Sequence, residues 1–224
     1  MWVSLRRGPH VSQELSVSSV YCIGLNYADH AAEMKSQRPD EPVVFLKPAA
    51  SLVAGGGTVA HPVISTDMHH EVELVVLVGQ DAPLLTLANA HEAILGYGIG
   101  LDMTLRDRQQ QAKAKGQPWA VAKGFAQSAP VSAFIPAEQM PDPGALGLQL
   151  LVNGQPRQQG HAGQMLFSVP ELLVYLSSIF SLRRGDLIFT GTPAGVGPVK
   201  RGDQLQARLL HGETPLLQLD VEIV

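Results

Sequence analysis

The run HHEVELVVLVG, residues 69–79, decides how the chain folds. From Glu71 onward it reads as a buried β-strand, yet carboxylates interrupt it at Glu71 and Glu73. Side chains two apart on a strand point the same way, so both acids share one face. That face continues as Val75 and Leu77, while Val72, Leu74, Val76 and Val78 line the other. Two ionised carboxylates side by side repel each other, and burial raises the cost. Three resolutions are open: one acid is protonated, both meet basic residues, or both hold a cation.

Similar short β-like runs recur as VSSVYCIGL, PVVFLKP, LGLQLLVNG, DLIFTG and DQLQARLL. Helical patterning is sparser and is best in NYADHAAEM, TLANAHEAI, DMTLRDRQQQAKAKG and SVPELLVYLSSIF. The last opens with Ser168 as an N-cap, Pro170 in the first turn and Glu171 at the capping-box position. Strands outnumber helices and do not alternate regularly with them. An α+β, strand-rich fold is therefore expected, rather than a Rossmann fold or TIM barrel. Residues 1–17 read as a short leader strand or hairpin and 18–224 as one catalytic domain.

The 224 residues suffice for one substantial core, and 45% of them are hydrophobic. Sixteen Lys and Arg against a net charge of −4 provide no basic field for nucleic acid or an anionic membrane. The longest apolar runs are far shorter than the roughly 20 residues of a membrane span. The first fifteen residues lack the apolar stretch of a secretory signal. A single cysteine, Cys22, excludes an internal disulfide framework and fits a reducing cytosol. A soluble cytoplasmic protein is expected, with no nucleic-acid or membrane partner.

The acidic pair gains a third candidate in GYGIGLDMTLRDRQ, where Asp102 follows a glycine-rich strand and is expected to start a helix. An all-carboxylate set selects hard cations such as Mg²⁺, Mn²⁺ or Ca²⁺ over zinc. Three such ligands on an octahedral ion leave positions for water and substrate, which is the form of a catalytic site. On a helix from Asp102, Arg106 at i+4 and Gln109 at i+7 share a face, suited to gripping a substrate carboxylate. The same spacing also fits an Asp102–Arg106 ion pair on a solvated surface.

Other stretches carry chemistry. In GLNYADHAAEM, His30 and Glu33 are neighbours on a helix, and a glutamate bonded to one imidazole nitrogen raises the basicity of the ring. QPWAVAKGF places Lys123 in an apolar setting, either as a cation for an oxyanion or as a snorkelling surface lysine. FTGTPAGVGP runs from a strand into a turn whose backbone at Gly191 and Thr192, with the Thr hydroxyl, suits a carboxylate. No P-loop, dinucleotide glycine pattern or G-x-S-x-G elbow is present. His69 and His70 read as strand-entry residues or as outer supports of a metal. His61, His91, His161 and His211 carry no signal.

In their joint order, GLNYADHAAEM, VVFLKPAASL, HHEVELVVLVG, GYGIGLDMTLRDRQ, GQPWAVAKGF, VNGQPRQQG and FTGTPAGVGPVKRGD resemble the fumarylacetoacetate hydrolase family, from about residue 18 to the C-terminus. The closest resemblance is to its compact acylpyruvase and fumarylpyruvate hydrolase branch. The resemblance implies a mixed β-roll, a homodimer, a Mg²⁺ or Mn²⁺ site and a small 2-oxo acid substrate. It implies Glu71, Glu73 and Asp102 as metal ligands and His30 with Glu33 as a water-activating dyad on a lid. Lys123 would join that dyad in catalysis. Arg106, Gln109, Gly191 and Thr192 would contact substrate. The implied reaction is hydrolysis of a C–C bond in acylpyruvates to pyruvate and a carboxylic acid. Alternatives on the same site are oxaloacetate decarboxylation or tautomerisation and 2-hydroxyhepta-2,4-diene-1,7-dioate isomerisation; a non-catalytic keto-acid binder is a further alternative. Two departures from the family pattern, Ala126 and Gln164, bear on the substrate tail.

Overall fold

The computed structural model describes residues 1–7, 10–33, 38–140 and 142–224. The chain opens with β1 (Trp2–Arg7), β2 (His10–Ser16), β3 (Val20–Gly24), α1 (Ala28–Glu33) and β4 (Val43–Lys47). Next come β5 (Leu52–Ala54), β6 (Gly57–Val59), β7 (Met68–His70), β8 (Val72–Val78) and β9 (Ile94–Leu101). The middle holds β10 (Thr104–Leu105), α2 (Arg106–Ala114), α3 (Ala120–Lys123), β11 (Ala129–Val131) and β12 (Ile135–Pro136). After these lie β13 (Leu146–Val152), β14 (Gln155–His161), α4 (Val169–Ile179) and β15 (Leu187–Phe189). The chain closes with β16 (Gly197–Pro198), β17 (Gln204–His211) and β18 (Thr214–Ile223).

The fold is α+β, strand-rich with few helices, built on a curled mixed sheet. That sheet runs β4-β3-β15-β8-β9-β11-β5, with β12 also on β9. A second sheet runs β14-β13-β17-β18-β6, and β10-β7-β16 form a small third. The two faces of β8 serve two separate cores. Val72, Leu74, Val76 and Val78 join Ile99, Leu148, Leu150 and Leu209 in the larger one. Val75 and Leu77 join Phe134, Phe189 and the hairpin residues Val3, Leu5 and Leu15 in the smaller. The hairpin β1–β2 thus covers the outer side of the main sheet. Full burial of each such aliphatic side chain contributes on the order of 1.5–3 kcal/mol.

The glycines of GYGIG make the smaller core possible. A Cβ on Gly100 would sit 2.6 Å from the Phe189 ring and 2.8 Å from Val75, a separation that packed atoms do not tolerate. Helix α4 forms as its caps dictate, with the Ser168 N–H donating to Glu171 Oε2 at 2.7 Å.

Two helical expectations are corrected. TLANAHEAI yields only a 3-10 turn at Ala90–Ala93. Asp102 does not begin a helix: its N–H donates to Glu71 O at 2.8 Å, and β10 pairs with β7, which keeps the backbone extended until Arg106. Met34, the last residue of the expected helical stretch NYADHAAEM, lies outside the described residues.

Candidate metal centre and active site

Antiparallel pairing of β8 and β9, with Val72 opposite Leu101, brings the start of one strand beside the end of the other. Glu71, Glu73 and Asp102 therefore meet, all buried, with one oxygen from each lying within 4.8 Å of the others. Around them the fold delivers buried cations. Lys123 Nζ, from the end of α3, donates to Glu71 Oε2 at 2.8 Å, Asp102 Oδ2 at 2.6 Å and Thr104 Oγ1 at 2.7 Å. Lys47 Nζ, from the end of β4, lies 2.7 Å from Asp102 Oδ1. Two of its three N–H donors go to Met103 O and Lys123 O, and the contact with Asp102 is an ion pair. Arg106 Nη2 donates to Glu71 Oε1 at 2.5 Å and Nη1 to Gln109 Oε1 at 2.7 Å. The Asp102–Arg106 pair that sequence spacing allowed is thus replaced by Arg106–Glu71.

These contacts decide among the three resolutions residue by residue. Burial alone would raise the Glu71 carboxyl, but the Lys123 and Arg106 charges outweigh it and hold the group well below the usual carboxylate range. Among the described residues Glu73 receives the Gly191 N–H alone, at 2.8 Å. Burial, then the Asp102 and Glu71 charges, drives its carboxyl well above the ordinary range. Lys123 resists burial because Asp102 and Glu71 hold its proton. Among the described residues Glu73 is the acid of the set without an ion-pair partner. The three clustered oxygen ligands suit a hard divalent cation, whose charge would relieve that repulsion.

The cluster opens into a cleft lined among others by Ile23, Leu25, His30, Phe45, Gln109 and Trp119. His30 reaches it from α1, and its Nδ1 lies 3.3 Å from Glu33 Oε2. The Gly195 N–H also approaches Glu33, at 3.3 Å. Asn26 fixes the base of that helix, donating to Thr190 O and Phe167 O and accepting from the Phe167 N–H. Between Asn26 and the β3 strand, Leu25 adopts φ 58°, a left-handed conformation uncommon for a branched apolar residue.

Two residues expected to contact substrate, Gly191 and Thr192, also make hydrogen bonds within the fold. The Gly191 N–H is directed at Glu73, and the Thr192 hydroxyl donates to Val72 O at 2.8 Å while accepting from Gln158 Nε2 at 2.8 Å. Gln158 Oε1 in turn accepts from the Val72 N–H and meets His70 Nδ1 at 2.9 Å. Gly191 and Thr192 thus brace the strand that carries Glu73, although Thr192 still borders the cleft. His69 pairs with Asp67. Ala126 is exposed and Gln164 accepts from the His161 N–H, so neither departure from the family pattern lines the cleft.

Sequence reasoning missed Lys47, Thr104, Gln158, Phe45 and Trp119 as parts of this neighbourhood. Lys47 had a signal: it ends the apolar run VVFLK, where a charge inside the sheet needs a partner. Gln158 had none, since QPRQQG reads as exposed.

Residues 19–221 match the family model described as fumarylacetoacetate hydrolase C-terminal. The chain is 48% identical over 194 residues to the mitochondrial oxaloacetate tautomerase FAHD1 of Bos taurus, covering 87% of each chain. It is 44% identical over 203 residues to the mitochondrial oxaloacetate decarboxylase of Dictyostelium discoideum, covering 90% of this chain and 93% of that one. Its fold matches the crystal structure of a fumarylpyruvate hydrolase from Pseudomonas aeruginosa in complex with Mn²⁺ and pyruvate. The TM-score is 0.91 at 39% identity, with 100% of this chain and 96% of that chain covered.

Proposed function

The chain belongs to the fumarylacetoacetate hydrolase family, and from that premise we propose a Mg²⁺- or Mn²⁺-dependent hydrolase. It cleaves the C–C bond of acylpyruvate-type 2,4-dioxo acids, releasing pyruvate and a carboxylic acid. The observation that carries this reading is that His30, with its Glu33 partner, lines the same cleft as Glu71 and Glu73, which cluster with Asp102.

Glu71, Glu73 and Asp102 would hold the ion. When bound, a divalent cation supplies a Lewis acid that polarises the 2-oxo acid end of the substrate. Arg106 and Gln109 orient the substrate carboxylate, and the buried Arg106 Nε, which has no acceptor among the described residues, is a donor in reserve for it. His30 turns Nδ1 toward Glu33 and takes a proton at its other nitrogen from a water that attacks the distal carbonyl. Lys123 holds the negative charge that develops on the pyruvyl oxygen.

A second reading, oxaloacetate tautomerisation or decarboxylation, is favoured by the names of the relatives from Bos taurus and Dictyostelium discoideum. It uses the same carboxylates and Lys123 but needs no attacking water, and dienedioate isomerisation would need only a positioned base. Metal-stripped protein assayed with and without Mg²⁺ or Mn²⁺ on acetylpyruvate, fumarylpyruvate, oxaloacetate and the dienedioate separates the readings. His30→Ala should cut acylpyruvate cleavage by roughly 100- to 10,000-fold and spare oxaloacetate decarboxylation; equal loss on oxaloacetate would remove water activation from the account. No metal-dependent turnover of any of the four would leave a keto-acid binder. A homodimer and a cytoplasmic location complete the proposal. The first rests on the family resemblance and on the β4 edge strand, where Leu46 is exposed; the second rests on the lone, buried Cys22. Among the described residues no helix is long and apolar enough to cross a membrane.

A further inference from the structure

The two glutamates of the cluster flank Val72, and side chains hold the backbone of that residue. β15 runs antiparallel to β8, with Phe189 opposite Val75. Just past its end the Thr190 N–H still donates to Leu74 O, at 3.1 Å. At Val72 side chains take over the work of the ladder. The Val72 carbonyl accepts from the Thr192 hydroxyl at 2.8 Å, and its N–H donates to Gln158 Oε1 at 3.0 Å. Gln158 Nε2 donates to Thr192 Oγ1 at 2.8 Å, which closes a ring through both backbone groups of Val72.

Gln158 reaches this place against the habit of its strand. The rest of β14 is exposed or half-buried, whereas Gln158 is 1% exposed. Leu150 faces Gln158 while Leu151 faces Pro156, so Arg157 is the extra residue of a bulge. Bulges re-aim the side chains beside them. The buried amide then uses its full capacity of two lone pairs and two N–H groups. Oε1 meets the Val72 N–H and His70 Nδ1, while Nε2 serves Thr192 Oγ1 and, at 2.9 Å, Pro193 O. A flipped amide is excluded, because the Val72 N–H can only donate and the Pro193 carbonyl can only accept. His70 therefore carries a proton on Nδ1. These partners adjoin the acids: His70 precedes Glu71, Val72 separates it from Glu73, and Thr192 follows Gly191, whose N–H bonds Glu73.

We infer that Gln158 is a positioning residue for the metal: its saturated amide fixes the backbone between Glu71 and Glu73, and with it the spacing of their carboxylates. Gln158 itself does not line the cleft, so it acts only through the strand it holds. This rests on the proposed metal site. Groups that orient a ligand from behind set metal affinity as well as fold stability. An amide that merely satisfied buried backbone would set stability alone.

The test is Mn²⁺ titration of the full chain without substrate, read by the electron paramagnetic resonance of the unbound ion. Gln158→Met keeps the length of the side chain and removes the amide. Its Mn²⁺ dissociation constant should rise roughly 10- to 100-fold, the effect of losing a support behind a ligand. Thr192→Val opens the same ring at constant shape and should weaken binding by a similar factor. The double variant should bind no more weakly than the weaker single, because one ring is broken once. Leu77→Ala, which loosens the sheet elsewhere, should stay within a few-fold of the native value. Native-like affinity in Gln158→Met overturns the inference, as do losses that multiply in the double variant or an equal loss in Leu77→Ala. Should Gln158→Met fail to fold, native-like affinity in Thr192→Val overturns it instead. A native chain that takes up no Mn²⁺ overturns the metal reading itself; intact native binding with indifferent variants overturns this inference alone.

Discussion

One face of β8 holds both Glu73 and, four residues on, Leu77. Glu73 lies against the Gly191 amide and the other two acids, opposite Gly100 of β9; Leu77 lies in the smaller core under the β1–β2 hairpin. The same sheet side is thus a polar socket at one end and an oil-filled layer at the other. Strand geometry does not distinguish the two ends. Their neighbours do: at the polar end Lys123 and Arg106 arrive from α3 and α2, while at the apolar end Phe134 and Leu5 close over the strand.

That contrast breaks most severely at the acidic end. Glu73→Gln should cut metal-dependent turnover on the order of 10,000-fold, since losing metal polarisation costs several kcal/mol. The same change should raise the melting temperature of the metal-free protein at neutral pH. The sign follows from linkage. The Glu73 carboxyl is raised in the fold, so its contribution is present in full below the unfolded value and is lost as pH rises through the folded one. Glutamine mimics the protonated form. Calorimetry showing a lower melting temperature would mean that Glu73 is not strained in the metal-free state.

His30→Ala should reduce acylpyruvate hydrolysis by roughly 100- to 10,000-fold, with Mn²⁺ affinity, read by titration, remaining within a few-fold of the native value. A collapse of Mn²⁺ binding would move His30 from the reaction to the metal. At the apolar end the pattern reverses. Leu77→Ala should destabilise the fold by about 2–5 kcal/mol in denaturant unfolding, because the tightly packed smaller core cannot fill the void. Its metal affinity should hold.

The smallest effect lies away from β8. Ser168→Ala should cost about 1 kcal/mol by removing the cap of α4. Hydrogen bonds from Ser168 hold the Glu171 carboxyl below its ordinary value. Its share of stability is therefore present above the unfolded carboxylate range and fades as pH falls through the folded value. The gap between native and Ser168→Ala unfolding midpoints should narrow in acid; a gap constant with pH would remove Glu171 from the cap.

Legibility in the sequence followed the range of the forces involved. The strand HHEVELVVLVG, its two-faced burial and the α4 cap are local, and alternation and spacing marked them. Asp102 was recognisable as a partner of Glu71 and Glu73, but its backbone state was not, because pairing of Thr104 and Leu105 with β7 overrides the helical pattern of DMTLRDRQ. Gly191 read as a turn amide open to ligand; only the crossing of β15 beside β8 turns it toward Glu73. Lys47 and Gln158 act through partners far along the chain, Met103 and Thr192, and no short window contains both ends of those contacts. The domain boundary expected at residue 17 remains a proposal. The hairpin before it buries Val3, Leu5 and Leu15 in a core shared with β8 and β15.

Cys22 sits at the centre of β3, fully enclosed, and burial followed by the Asp102 charge pushes its thiol far above the ordinary range. It is the sole sulfhydryl of the chain, so an alkylating reagent has one target and cannot reach it while β3 stays seated between β4 and β15. The rate at which that sulfur becomes labelled is thus a built-in clock for how often the central sheet comes apart.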